Sequence, residues 1–229
     1  MITAECWERT VGLEAPGMRG SGFTVTLHGR QWLITAAHVV AGADAKDIQL
    51  TGLHLNKVQL EPVPGVLPGA DIAIFSLSGD LTPDLNLTPG IDGIIWSQDA
   101  YFLGFPFGIG FNSGASSLPF VKKAIVSGLY NAANGVGLVL LDGINNPGFS
   151  GGPVVFCKSG TRSWSVAGIV SGYLPDAVDV VGGAGGTVST NTGIIVAHQI
   201  RHAVDAIDLF VGAAATTLSH VPGLKLPSP

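Results

Sequence analysis

Apolar and polar positions alternate along this chain in short runs. Phe23, Val25 and Leu27 alternate with Thr24 and Thr26, the period of a strand with one buried face. Comparable runs predict strands at Gly22–Leu27, Gln31–Thr35, Asp71–Leu77, Ala100–Leu103, Lys122–Leu129, Val136–Leu141, Pro153–Phe156, Ser163–Ser171 and Gly193–Ala197. Their Val, Ile, Phe and Trp content suits a pleated, half-buried surface. Turn pairs separate them: His28-Gly29, Pro89-Gly90, Asn134-Gly135 and Ser159-Gly160. Helical spacing is convincing once. Ile200, Ala203, Val204 and Ile207, extended by Phe210, predict a helix over Ala197–Leu209. Strands followed by one late helix argue against a sheet built from βαβ units, so the expected class is all-β, a sandwich or barrel.

Composition narrows this picture. The 229 residues fit one large domain or two small ones, and a chain of that size buries roughly 70–75% of its unfolded surface. Hydrophobic residues make up 46% and charged residues 12%, about half the usual charged share. Yet no apolar run approaches the roughly 18 residues of a membrane-spanning helix, so no span is expected. The net charge of −5 and the scatter of the eleven Lys and Arg, adjacent only at Lys122-Lys123, argue against a nucleic-acid partner. Residues 1–20 carry Glu5, Glu8 and Glu14 and no apolar leader core. The expected location is therefore cytoplasmic, or secreted or periplasmic if a leader has been removed. Cys6 and Cys157 could pair but make no framework; two unpaired buried thiols are the plainer expectation. Two loops, Gly104–Ser117 and the Gly-rich Val181–Thr192, read as mobile candidates for gating a cleft. Residues 211–229 read as a tail or linker toward a further domain or partner chain.

The chemistry centres on Gly148-Phe149-Ser150-Gly151-Gly152-Pro153. A serine hydroxyl is a poor nucleophile without a base and an oriented carboxylate. Upstream, His38 ends Trp32-Leu33-Ile34-Thr35-Ala36-Ala37-His38, and Asp71 opens the apolar run Asp71-Ile72-Ala73-Ile74-Phe75. The order His, Asp, Ser is one of the known triad orders. The roles follow: Ser150 attacks, His38 takes the proton and Asp71 orients His38. Asp44, Asp47, Asp80 and Asp84 lie in more polar contexts and suit the surface better. An oxyanion hole would use the N–H groups of Gly148 and Ser150. No metal or cofactor is implied. The same stretch satisfies G-x-S-x-G, but a nucleophile elbow leads into a helix, whereas Pro153-Val154-Val155 leads into a strand.

These motifs resemble the trypsin-like serine peptidases, above all their bacterial HtrA-type branch. The resemblance rests on Gly20-Ser21-Gly22-Phe23, Ile34-Thr35-Ala36-Ala37-His38-Val39-Val40, Asp71-Ile72-Ala73-Ile74 and Asn146-Pro147-Gly148-Phe149-Ser150-Gly151-Gly152-Pro153. Weaker echoes are Leu103-Gly104-Phe105-Pro106-Phe107-Gly108 and Ala167-Gly168-Ile169-Val170-Ser171-Gly172. It spans about residues 18–209. It implies two six-stranded antiparallel β-barrels packed together, with a C-terminal helix. Residues 1–95 would form the first barrel, with His38 and Asp71, and 96–210 the second, with Ser150. It implies a serine endopeptidase acting on polypeptides through an acyl-enzyme. Its primary pocket would be floored by Ile144 and walled by Ser171, Gly172 and Gly193. With no buried charge there, the pocket would prefer small or medium apolar side chains. Val39 stands where animal members often carry a cysteine, and the HtrA-type branch needs no such cysteine. A binding or scaffolding domain on the same fold, with a misformed oxyanion hole, is the alternative.

His198 and His202 lie four apart on the predicted helix. They lack an intervening glutamate and a third ligand, so a solvated face is expected rather than a metal site.

Overall fold

The computed structural model describes residues 1–113, 116–179 and 187–219. A short helix, α1 (Ala4–Trp7), precedes the strands β1 (Thr10–Ala15), β2 (Met18–Leu27), β3 (Arg30–Thr35), β4 (Gln49–Thr51), β5 (Leu60–Pro62) and β6 (Ala73–Leu77). Then follow β7 (Thr88–Pro89), β8 (Asp99–Gly104), β9 (Phe111–Ser113), β10 (Ser116–Leu118), β11 (Phe120–Asn131) and β12 (Gly137–Asp142). The chain continues through β13 (Pro153–Cys157), β14 (Trp164–Asp179), β15 (Thr187–Gln199) and α2 (Arg201–Ser219). The architecture is mostly β, as expected.

Two sheets carry the fold. The first has six strands in the order β4-β1-β2-β3-β6-β5 and does not close. The second runs β13-β8-β11-β12-β15-β14-β7, and a β13–β14 pairing closes six of those strands into a ring. All pairings of that ring are antiparallel. The two-residue β7, on the connection between the sheets, lies parallel to β14.

Strand alternation builds two cores. On β13, Val154 and Phe156 point into the ring with Phe102, Val126, Val139 and Leu141. Val155, between them, turns outward and joins Phe23, Val25, Trp32 and Ile34 of the first sheet. The apolar stripe of α2, Ile200, Ala203 and Ile207, packs on that same core. Phe210 meets Trp32 edge to face at 6.0 Å. The second half thus closes the core of the first.

Some boundaries move. The helix begins at Arg201 rather than Ala197, because Ala197 and His198 still pair with Val170 and Ile169 on β14. His198 is therefore a strand residue. Helical structure reaches Ser219, so the expected tail from 211 is helical at its start, and residues 220–229 lie outside those described. The Val181–Thr192 loop falls partly outside them, and its described part belongs to β15. The Gly104–Ser117 loop contains a 3-10 turn at Pro106–Gly108 and the β9–β10 hairpin, with residues 114 and 115 undescribed. Both cysteines are free, Cys6 buried and Cys157 half-buried.

Candidate active site

Strand register brings His38 to Asp71. On adjacent strands β3 and β6, Thr35 faces Ala73. His38 lies three residues beyond Thr35, in a 3-10 turn, and Asp71 two residues before Ala73. The two side chains meet at 2.6 Å, His38 Nδ1 to Asp71 Oδ2. The His38 backbone N–H donates to the other carboxylate oxygen at 2.9 Å. Asp71 is thus held by both oxygens.

A third donor comes from the other sheet. Ser171 Oγ on β14 donates to Asp71 Oδ2 at 2.5 Å. Burial acts to raise the Asp71 carboxyl, but the donors from His38 and Ser171 outweigh it and hold its pKa at about 2. The hydrogen bond to that carboxylate raises His38 above the usual histidine value, against its partial burial. The pair is thus a fixed carboxylate beside an imidazole of enhanced basicity. Ser171, expected as a pocket wall, has its hydroxyl on the carboxylate instead of facing a ligand. A serine opposite the strand end that carries the acid is a signal that the pattern of apolar residues could not supply.

Ser150 sits on the loop between β12 and β13. Its carbonyl accepts the Ser21 N–H at 2.7 Å. Its hydroxyl donates to the Ser171 carbonyl at 3.2 Å rather than to His38. The next residue, Gly151, has φ +85° and donates to Val170 O at 2.7 Å. A Cβ there would lie 2.0 Å from Ser21 O, so glycine is required.

The Gly148 peptide is oriented by two contacts. Pro147 O accepts the Phe107 N–H at 2.8 Å. Gly148 O accepts the Ser21 hydroxyl at 2.7 Å. In a trans peptide the N–H opposes the C=O, so the Gly148 N–H faces away from Phe107. Among the described residues neither the Gly148 nor the Ser150 N–H has an acceptor. Gly148 has φ +101°, and a Cβ would fall 2.5 Å from Phe105 O.

The expected pocket residues are dispersed in character. Ile144 is 60% exposed, and its carbonyl accepts from the Lys122 ammonium. Lys122 also donates to Asn146 Oδ1 at 3.1 Å and stands over the Phe102 and Phe149 rings. Asn145, not Ile144, is the buried residue of this stretch. Gly172 is half-buried on β14, and Gly193, with φ +81°, bonds back to Asn191 Oδ1 at 2.9 Å. In the sequence Lys122 reads only as half of the Lys122-Lys123 pair.

The two later histidines are not on a solvated face. His198 is 8% and His202 4% exposed. Burial lowers both pKa values. His202 Nε2 accepts the Gly137 N–H at 2.8 Å, so that nitrogen carries no proton. Among the described residues no group of three or more His, Cys, Asp or Glu could hold a metal ion. Among them too, no helix is long and apolar enough to cross a membrane.

Two stacked β-sheets with a His–Asp pair and a glycine-flanked serine at their junction define the trypsin-like class. A family model, the trypsin-like peptidase domain, matches residues 20–169, and the chain belongs to that family. A comparison with curated protein sequences gave no match. Among solved structures, the fold is similar to the active form of the Rv3671c protease from M. tuberculosis, at 16% identity, with 99% of this chain and 86% of that one covered and a TM-score of 0.60. It is also similar to the HtrA-type protease AlgW with tripeptide, at 23% identity, covering 88% and 59%, TM-score 0.62. The serine endoprotease from Yersinia pestis gives 16% identity, 91% and 65% coverage, and a TM-score of 0.62.

Proposed function

We propose that this peptidase domain is a serine endopeptidase. Ser150 Oγ attacks the scissile carbonyl while His38 Nε2 takes its proton, and Asp71 holds the imidazole by Nδ1. The Gly148 and Ser150 N–H groups receive the oxyanion. The imidazolium then protonates the leaving amine. Water, deprotonated by His38, hydrolyses the acyl-enzyme and frees Ser150.

The observation that carries this reading is the His38–Asp71 contact at 2.6 Å, backed by Ser171. The acceptor-free amides beside Ser150 support it. The Ser150 hydroxyl must leave Ser171 O for His38; catalytic hydrogen bonds are often loose without substrate and tighten when it binds. That same bond to Ser171 O favours the second reading, an inactive binding domain. Labelling with a fluorophosphonate separates them. The expected result is stoichiometric labelling of the wild type and none of Ser150→Ala; a folded wild type that stays unlabelled sinks the peptidase reading.

We also propose a preference for small or medium apolar side chains before the scissile bond. The residues that the resemblance assigns to the pocket carry no carboxylate, and Lys122 brings a cation to their edge. A peptide series varying that one residue should show kcat/KM at least about tenfold lower for Arg or Lys than for Val or Ala. Equal cleavage after Arg would remove the proposal.

A further inference from the structure

We propose that Ser21 is a positioning residue for the oxyanion hole: its hydroxyl bridges Gly148 O and Phe105 N–H and so fixes the peptides on both sides of Gly148. This rests on the serine-peptidase reading above.

Ser21 lies on β2, in the first sheet, and is fully buried. Every polar atom it owns is engaged. Its hydroxyl donates to Gly148 O at 2.7 Å and accepts the Phe105 N–H at 2.9 Å. Its N–H donates to Ser150 O at 2.7 Å. Its carbonyl accepts the Thr35 hydroxyl at 2.7 Å. One residue therefore grips the nucleophile loop at Gly148 and at Ser150, the two residues whose N–H groups form the proposed hole.

The bridge acts on both peptides of Gly148. It holds the Gly148 carbonyl directly. Through Phe105 it also anchors the 3-10 turn whose Phe107 N–H holds the Pro147 carbonyl at 2.8 Å. Phe107 keeps a left-handed backbone, φ +55°, without being glycine, and such a conformation persists only where its surroundings impose it. With both carbonyls held, neither peptide of Gly148 can turn without breaking one of these bonds. Space has been left for the device: a Cβ on Gly104 would come within 2.6 Å of Ser21 Oγ.

A residue that merely glues the two sheets together would affect stability and every ligand alike. A positioning residue affects the tetrahedral state more than the ground state. The test uses the full chain with Ser21→Cys, of similar size but a weak donor, and Ser21→Thr, which keeps the hydroxyl. A peptide boronic acid is the first probe; its boron bonds to Ser150 Oγ, the hydroxyl proton passes to His38, and the tetrahedral anionic adduct sets a boron-bound oxygen in the hole. The same peptide with hydrogen in place of the boronic acid group is the second probe, filling the cleft without that oxygen.

Ser21→Cys is expected to weaken the boronate and lower kcat by about 10- to 100-fold. KM and the affinity of the boron-free peptide should stay within about twofold, and Ser21→Thr should restore most of both losses. Equal weakening of the two probes, no weakening of either, or a folded Ser21→Thr as impaired as Ser21→Cys overturns the proposal. Those outcomes need an active wild type. A wild type that cleaves no peptide and binds no boronate overturns the peptidase reading, and this proposal with it.

Discussion

Two glycines set the hardest constraint at the residue scale. Gly148 and Gly151 flank Ser150, the proposed nucleophile, with φ of +101° and +85°. At Gly151 a methyl group would overlap Ser21 O, Thr35 Oγ1 at 2.3 Å and Ala36 N at 2.9 Å, on β2, on β3 and just beyond β3. Left-handed strain alone costs about 1–3 kcal/mol, and the overlap adds to it. Gly151→Ala is therefore expected to lose at least about 3 kcal/mol in urea unfolding, with fluorophosphonate labelling abolished in any fraction that still folds. A loss under about 1 kcal/mol contradicts this packing. The glycines, Ser150, His38 and Asp71 were all legible as motifs. Ser21 stood in the quoted Gly20-Ser21-Gly22-Phe23, yet its task was not, since its partners lie 127 and 84 residues away.

Elements were legible wherever local alternation was strong. Each of the nine expected strands overlaps an observed one, because alternation reports burial of one face directly. Strands β1, β4, β5, β7, β9 and β10 escaped, all but β1 of them only two or three residues long. Val11 and Leu13 on β1 are buried, but Gly12 between them is buried too, closed over by Phe105. The alternation is therefore masked. At the β15–α2 junction the sequence looked helical while β14 pairing kept the strand extended, which is tertiary structure overriding local preference. That junction carries a pH prediction. His198 and His202 are buried neutral, with folded pKa values below those of the unfolded chain. Below the usual histidine value the unfolded state binds more protons, so stability falls as pH drops through about 6.5. His38, raised, has the opposite sign and gains stability on acidification. Replacing one buried histidine isolates its share. Between pH 8 and 5 the melting temperature of His202→Gln, whose amide oxygen can still accept the Gly137 N–H, should fall less than that of the wild type. An identical slope would mean that His202 titrates freely.

The whole molecule is an assembly of two sheets that complete each other. Only the resemblance, not the residue patterns, suggested two barrels, and one of the two sheets stays open. The proposed site spans them: Asp71 belongs to the first, and Ser171 and Ser150 to the second. As His38 is raised by Asp71, kcat/KM should climb with pH through an apparent pKa above about 6.5, where the free imidazole forms. Removing the Ser171 hydroxyl leaves the carboxylate a stronger partner for the imidazolium. Ser171→Ala should therefore shift that ascending limb to higher pH, with a lower plateau. A limb that stays in place would detach Ser171 from the proton path.

The donation from Ser171 to Asp71 also bears on how the protein is made. Synthesis delivers the first sheet long before residue 171. Until β14 arrives and docks, Asp71 lacks one donor and the proposed relay from His38 to Ser150 is unassembled. Under the proposed mechanism a chain still leaving the ribosome is then inert, and cleaving power arrives only once the second sheet has docked.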